Sequence, residues 1–404
     1  MIKQVPAKAL KVGMYIHDLN CDWVSHPFLR TRFLLVSDEE IETILNAAIH
    51  EVYIDTAKGI DASNAPTREE VRKQIFEEVR AIATAAAPPA ARITVADEMQ
   101  RAANIRSDAT RVVKHVMEDV RLGRAVEMER LVPLVESITG SIMRNSGALM
   151  SMLSIKTADE YTFEHCVSVC TLMVAFSRSL GLDAETSHQG GLGGLVHDVG
   201  KMKTPSKVLN KAGRFTDAEF AIMKRHPEDG HAILKETPGI GETPLIITLA
   251  HHERMDGSGY PFKLGPEKIP QMVRMASIVD VYDAITSDRC YHKGMSPTEA
   301  LGKIFEWSKF HFDPALVQAF TRCIGIYPVG TLVRLESGRL GVVTEQHEGN
   351  LLTPVVNVFY CAQSMSYLTP ESIDLSKKMG SGGADRIVNH ESPRRWQIDP
   401  QRFM

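Results

Sequence analysis

The string His197-Asp198-Val199-Gly200-Lys201 sets an imidazole beside a carboxylate, with a lysine three residues further on. An adjacent His-Asp pair suits a metal site, because the imidazole can take one ion and the two carboxylate oxygens allow a bridge to another. The dipeptide alone is a weak signal, since surface loops contain it by chance. Its company raises the odds. His165 stands upstream and Asp280 downstream, each in its own helical pattern, and between them come His226 and the pair His251-His252. That pair runs into Glu253-Arg254-Met255-Asp256-Gly257-Ser258-Gly259-Tyr260-Pro261.

Around this set, residues 125–326 read as almost entirely helical, with periodic segments broken by Gly and Pro. Gly190-Gly191-Leu192-Gly193-Gly194 falls inside the helix leading to His197 and has no strand before it, so it reads as small residues for tight helix packing rather than a dinucleotide fingerprint. Residues 1–60 read as a small α+β domain. Gly13–Ile16 and Arg32–Val36 are β-like, a capping box at Ser37-Asp38-Glu39-Glu40 starts a helix, and Glu51–Asp55 is a last strand. Asp18, Asp22 and His26 there read as polar loop residues. Residues 61–124 read as a helical connector. One stripe in it is Val71, Ile75, Phe76, Val79 and Ile82, followed by an Ala/Pro linker over 85–91. A second stripe, Met99, Ala102, Ala109, Val112, Val113, Val116 and Val120, suits packing on the next domain or on a second copy of the chain. From 327 to 404 the period drops to two over 331–335, 341–343 and 355–360, predicting a small β appendage. A glycine-bearing, mobile tail over 377–386 is expected within it.

The balance of charge narrows the function classes. Among 404 residues, 46 Lys+Arg face 50 Asp+Glu, a formal net charge of −4. Nothing there supplies the positive surplus on which polynucleotide binding relies. No run approaches the roughly 20 apolar residues of a membrane helix, and the most apolar stretch, 81–91, contains Pro88 and Pro89. The first residues lack the apolar core of a signal peptide. The six cysteines form no Cys-x-x-Cys and read as reduced, mostly buried thiols, so a cytoplasmic protein is expected.

The order His…His-Asp…Asp resembles the HD superfamily of metal-dependent phosphohydrolases. His226, the His251-His252 pair and the Asp-Gly-Ser-Gly-Tyr-Pro loop are similar to the HD-GYP subfamily, bacterial phosphodiesterases acting on cyclic di-GMP, over residues 150–326. The first 60 residues also look like the domain that often precedes such catalytic domains. The resemblance implies an all-α catalytic domain with two or three divalent ions, iron or manganese, and a metal-bridging hydroxide as nucleophile. The chemistry agrees, since paired cations neutralise an anionic phosphodiester and lower the pKa of a water between them. Imidazole and carboxylate ligands suit iron, manganese and zinc alike.

Carried onto this chain, the resemblance places one ion on His165, His197, Asp198 and Asp280, and a second on His226, His251 and His252, with Asp198 bridging. Glu160 is a candidate ligand for a third ion, though it stands off the helical face of His165. Lys201 can hold a substrate phosphate or protonate the leaving oxygen. Asp283, one turn after Asp280, can orient a ligand histidine or take a proton. Arg289 matches a substrate-binding arginine of the family, and its planar fork suits phosphate or a guanine edge. Tyr260 can present a ring or hydroxyl to the nucleotide. The family usually carries Arg or Lys where His292 stands; Lys293, the next residue, is the candidate for that substrate contact, and Cys290 replaces a common proline. No role is assigned to His188, His231, His292, His311 or His347.

The expected activity is hydrolysis of cyclic di-GMP to pGpG, with further cleavage to GMP left open. Two rivals are another cyclic dinucleotide or nucleotide as substrate, and a cyclic di-GMP sensor with little turnover that signals through residues 1–60. A homodimer or a signalling-protein partner is the remaining expectation.

Overall fold

The structure, a computed structural model, describes residues 1–21, 28, 30, 32–83, 93–153, 156, 160–211, 213, 215–287, 294–347, 350–377 and 385–404. The chain opens with β1 (Ile2–Pro6), β2 (Tyr15–Asp18), β3 (Phe33–Leu34), α1 (Asp38–Asn46) and β4 (Glu51–Asp55). These strands form an antiparallel sheet in the order β1-β4-β2-β3. Ser37 caps α1 by accepting from the Glu40 amide at 3.4 Å, while the Glu40 carboxylate accepts from the Val36 amide at 2.8 Å. Val5, Ile16, Leu35, Ile44, Val52 and Ile54 make the core between helix and sheet. The sequence reading did not include β1, whose apolar residues are too few to form a period. Asp22 and His26 lie outside the described residues.

The helical body runs through α2 (Arg68–Ala83), α3 (Val95–Arg121), α4 (Met128–Met150), α5 (Tyr161–Ser179), α6 (Ala184–Val196), α7 (Ser206–Leu209), α8 (Asp217–Met223), α9 (His226–Lys235), α10 (Glu242–Ala250), α11 (Gln271–Thr286), α12 (Pro297–Trp307) and α13 (Pro314–Ile324). Its axis is α5, every residue of which from Glu164 to Ser177 is buried. A helix apolar on all sides belongs at the centre of a bundle, and α3, α4, α6, α11 and α13 pack around this one. The glycines of α6 permit the closest approach. A Cβ at Gly194 would lie 3.1 Å from the Cys170 backbone of α5, and one at Gly193 would lie 2.5 Å from Ile247 of α10. The stripe on α3 is covered inside the chain, since Ala102, Ala109, Val113, Val116 and Val120 join the same core as α4 and α5. The second half of the expected connector is therefore part of the helical body.

After α13 come β5 (Leu332–Leu335), β6 (Arg339–Glu345), β7 (Val355–Cys361), β8 (Ser366–Asp374), β9 (Ile387–His390) and α14 (Pro393–Trp396). The five strands form one antiparallel sheet, β8-β7-β6-β5-β9. Strands β5 to β7 coincide with the period-two segments. Strand β8 escaped that reading because most of it is exposed and it contains Pro370. Of the expected mobile tail, residues 378–384 lie outside the described residues, and beyond them Arg386 pairs with Glu336 at 2.8 Å.

One buried carboxylate gathers several of the bonds that join the N-terminal unit to the helical body. Glu306 of α12 accepts from Gln4 Nε2 at 2.7 Å, Asn20 Nδ2 at 2.7 Å and Tyr53 OH at 2.9 Å. Burial and the Glu306 charge both push the Tyr53 hydroxyl up, so it stays protonated and donates. An unmade buried hydrogen bond costs about 1–3 kcal/mol. Glu306→Ala strands three donors at once and is expected to cost about 3 kcal/mol or more in chemical denaturation, with Glu306→Gln, which keeps an acceptor, costing less.

Candidate metal centre

Five imidazoles and two carboxylates converge at one end of the bundle. His165 comes from α5, His197 caps the C-terminus of α6 with Asp198 next to it, His226 opens α9, His251 caps the C-terminus of α10 with His252 next to it, and Asp280 comes from α11. Two of these positions are helix C-termini, whose partial negative charge favours a cation.

Four of the five imidazoles engage Nδ1 with an acceptor, while His252 Nδ1 stands 3.9 Å from Asp280 Oδ2. His197 Nδ1 donates to the Gly194 carbonyl at 2.8 Å, His226 Nδ1 to Met223 at 2.7 Å, and His251 Nδ1 to Thr248 at 3.0 Å. A carbonyl cannot donate, so Nδ1 carries the proton and the Nε2 lone pair is left for a ligand. His165 follows the same rule with a carboxylate, its Nδ1 donating to Asp283 Oδ2 at 2.6 Å. The Nε2 atoms then face inward. His165 Nε2 is 3.0 Å from Asp280 Oδ1, and His226 Nε2 is 3.3 Å from His251 Nε2 and 3.2 Å from His252 Nε2. Asp198 stands between two groups of donors. Its Oδ2 lies 3.4 Å from His197 Nε2 and 3.8 Å from His165 Nε2, and its Oδ1 lies 3.4 Å from His226 Nε2 and 4.0 Å from His251 Nε2.

These donors fit cations better than they fit one another. His165, His197 and Asp280 gather one donor atom each within 4.8 Å, as do His226, His251 and His252, and again His197, Asp198 and His251. His197 Nε2 and Asp198 Oδ1 are buried without a hydrogen-bond partner, a costly arrangement for polar atoms that a ligated ion would satisfy. Burial pushes His226 down to about 3 and His251 to about 4, so both rings are neutral ligands near neutral pH. Burial also holds His252 well below its ordinary value. Burial works against the charge on Asp198, but His197 and Lys201 hold its carboxyl well below the usual range. His197 differs from its neighbours: burial draws it down, yet Asp198 beside it raises it overall. There a proton and a cation compete for one lone pair.

Lys201 folds back through a 3₁₀ turn (Val199–Lys203) and pairs with Asp198 Oδ2. That turn is possible because residue 200 is glycine: a Cβ there would lie 1.9 Å from the His226 carbonyl and 2.4 Å from the Gly230 amide. Gly200→Ala is expected to drive α9 away from the turn and displace His226. It should cost about 1–3 kcal/mol of stability, as overpacking does, and lower metal content in elemental analysis. Asp283 sits behind His165, on the ring edge opposite the centre, and is wholly buried between that imidazole and the Lys156 ammonium. Lys156 also donates to Ser287 Oγ at 2.7 Å. This favours the orienting role for Asp283 over proton transfer. Lys156 was not singled out in the sequence, where it is one polar residue before α5; only α11 packing beside it reveals the pairing.

The glycine loop forms one wall. Tyr260 stacks on His252 with ring centroids 4.6 Å apart, and the Lys224 ammonium lies 5.2 Å from the Tyr260 centroid. Buried Glu253, also unmarked in the sequence, accepts from the Phe262 and Leu264 amides at 2.7 and 2.9 Å and ties the loop down. At Gly259 a Cβ would meet the Arg254 amide at 2.4 Å, so only glycine fits. Glu160 precedes α5 and pairs with Lys114 at 3.0 Å, outside the donor clusters. Arg289, Cys290, His292 and Lys293 lie outside the described residues.

Residues 148–316 match the HD domain family, and residues 2–131 match a domain of unknown function, DUF3391. A cyclic di-GMP phosphodiesterase of Pseudomonas aeruginosa is 42% identical over 399 residues, 98% of this chain and 94% of that protein. A cyclic di-GMP phosphodiesterase of Vibrio cholerae is 44% identical over 131 residues, 31% of this chain and 27% of that protein. A 3′3′-cGAMP-specific phosphodiesterase of the same organism is 33% identical over 171 residues, 42% of this chain and 39% of that protein.

Proposed function

This chain belongs to the HD-GYP family of cyclic di-GMP phosphodiesterases, and from that premise we propose that its centre cleaves cyclic di-GMP by adding water across one phosphodiester bond to release linear pGpG. The observation that carries the reading is Asp198, a single carboxylate with one oxygen toward His165 and His197 and the other toward His226 and His251. That is the disposition a bridge between two cations requires. His165, His197, Asp198 and Asp280 would hold one, and His226, His251 and His252 the other, with Asp198 shared. Iron or manganese is our assignment for both. When bound, such cations withdraw charge from the phosphate and activate a water for attack.

The chain's own groups do the rest. Asp283 and the carbonyls of Gly194, Met223 and Thr248 orient the imidazoles. Lys201 supplies a positive charge for the phosphate and a proton for the departing oxygen. Tyr260 offers a ring face to a guanine, and Arg289 and Lys293 remain our candidates for the nucleotide's other contacts. Glu160 would serve a third ion only by releasing Lys114. A cytoplasmic location is part of this proposal; the free cysteines among the described residues are consistent with a reducing compartment. Among those residues no helix is long and apolar enough to cross a membrane. The proposal includes no polynucleotide partner, and it leaves assembly, as a homodimer or with a signalling partner, to be measured.

Turnover of cyclic di-GMP by anaerobically purified protein, with elemental analysis of the same sample, tests the reading. Release of pGpG with about two iron or manganese ions per chain is expected; tight binding without turnover overturns it in favour of a sensor. Lys201→Ala should keep its metal and lose roughly 10²-fold in turnover. The relative specific for 3′3′-cGAMP favours one alternative, a mixed cyclic dinucleotide as substrate. Parallel assays on both dinucleotides separate the two.

A further inference from the structure

A second group of metal-type donors lies away from the centre and shares none of its residues. His50 sits between α1 and β4 of the N-terminal unit, Asp256 on the loop that leads to Gly257–Pro261, and His311 between α12 and α13. One donor atom from each falls within 4.8 Å of the others. We propose that His50, Asp256 and His311 form a separate structural site for a zinc-class divalent cation, which clamps the N-terminal unit onto the Gly-Tyr-Pro loop.

The geometry carries the assignment. Both Nε2 atoms approach the same carboxylate oxygen, Asp256 Oδ2, His50 at 2.8 Å and His311 at 3.7 Å. Ligand atoms around a tetrahedral zinc at about 2.1 Å sit about 3.4 Å apart, and these two separations bracket that value. The surroundings hold each donor in place, as outer partners do around metal ligands. Asp256 Oδ1 accepts from the Ser258 amide at 3.0 Å and from the Ser258 hydroxyl at 2.6 Å, which turns Oδ2 toward the imidazoles. The His50 ring stacks on Phe310 with centroids 4.1 Å apart. The His311 carbonyl accepts from the Met255 amide at 3.0 Å, joining its loop to that of Asp256.

Two nitrogens and one oxygen select the class. Magnesium and calcium favour all-oxygen shells, whereas imidazole with carboxylate suits zinc and its neighbours. Three protein ligands leave one position, and the His50 side chain is 35% exposed, so water can complete the shell. The three ligands come from three separated segments, so the cation would add a cross-link between the N-terminal unit and the wall that carries Tyr260. This holds whether or not the hydrolytic reading of the main centre is correct.

The test uses full-length protein with its resident metals in place, titrated with zinc against a chromophoric chelator. Wild type is compared with His50→Ala and with His50→Gln, which keeps a hydrogen-bond donor for Asp256. Neither variant touches a ligand of the main centre, so zinc taken up there is common to all three. The expected result is one zinc equivalent per chain fewer in both variants, and a larger zinc-dependent rise in melting temperature in wild type than in either variant. Equal zinc uptake by the three proteins, with matching circular dichroism, overturns the proposal and leaves His50 and Asp256 as a plain ion pair between the two units.

Discussion

Asp198→Ala is expected to abolish hydrolysis and empty both halves of the centre while the helical body stays folded. The carboxylate faces donors on two sides, so its loss removes a ligand from each group at once and leaves His226 and His197 without the charge that draws a cation between them. Cation stabilisation of a phosphoryl transition state is worth several kcal/mol, and each 1.4 kcal/mol is tenfold in rate. A fall on the order of 10³-fold or more in kcat/KM for cyclic di-GMP should follow. Metal per chain should drop in the same sample, and far-UV circular dichroism should not change. Activity retained in that variant would rule out the bridging role.

Asp283→Ala is expected to act on stability as well as on the centre. The Lys156 ammonium it pairs with is wholly buried, and removing one partner of a buried ion pair costs about 3–5 kcal/mol, because the other charge is left uncompensated. The same change removes the hydrogen bond that sets the His165 tautomer, and losing such an outer partner typically weakens metal binding by about 10–100-fold. The two effects can be pulled apart. Lys156→Met combined with Asp283→Asn removes both charges, so much of the stability should return. Metal affinity should stay low, since an amide supports His165 less well than a carboxylate. Denaturant midpoints and metal titrations on the single and double variants read the two quantities separately.

The separate parts of the fold were legible to different degrees, for physical reasons. The helical body announced itself through period and caps, and the N-terminal unit through its capping box at Ser37. Strand β8 did not, because an exposed edge strand needs no apolar alternation. The helical stretch after residue 94 has a stripe that could face a neighbouring domain or a second copy. Which surface covers it depends on the packing of α3 against α4 and α5, and that is a property of the assembled bundle.

The metal-type donors could be named from residue type and order, since imidazoles and carboxylates are the groups able to bind such cations whatever the fold around them. Spacing along the chain could not say which oxygen of Asp198 faces which histidines, that Asp283 stands behind His165 with Lys156, or that His50 meets Asp256 and His311. The contact of His50 with Asp256 alone joins residues 206 positions apart. Chemical capacity is local to a side chain and so is written in the sequence; juxtaposition is set by how buried helices pack and where glycines such as Gly194 and Gly200 let backbones touch, and only the tertiary structure decides it.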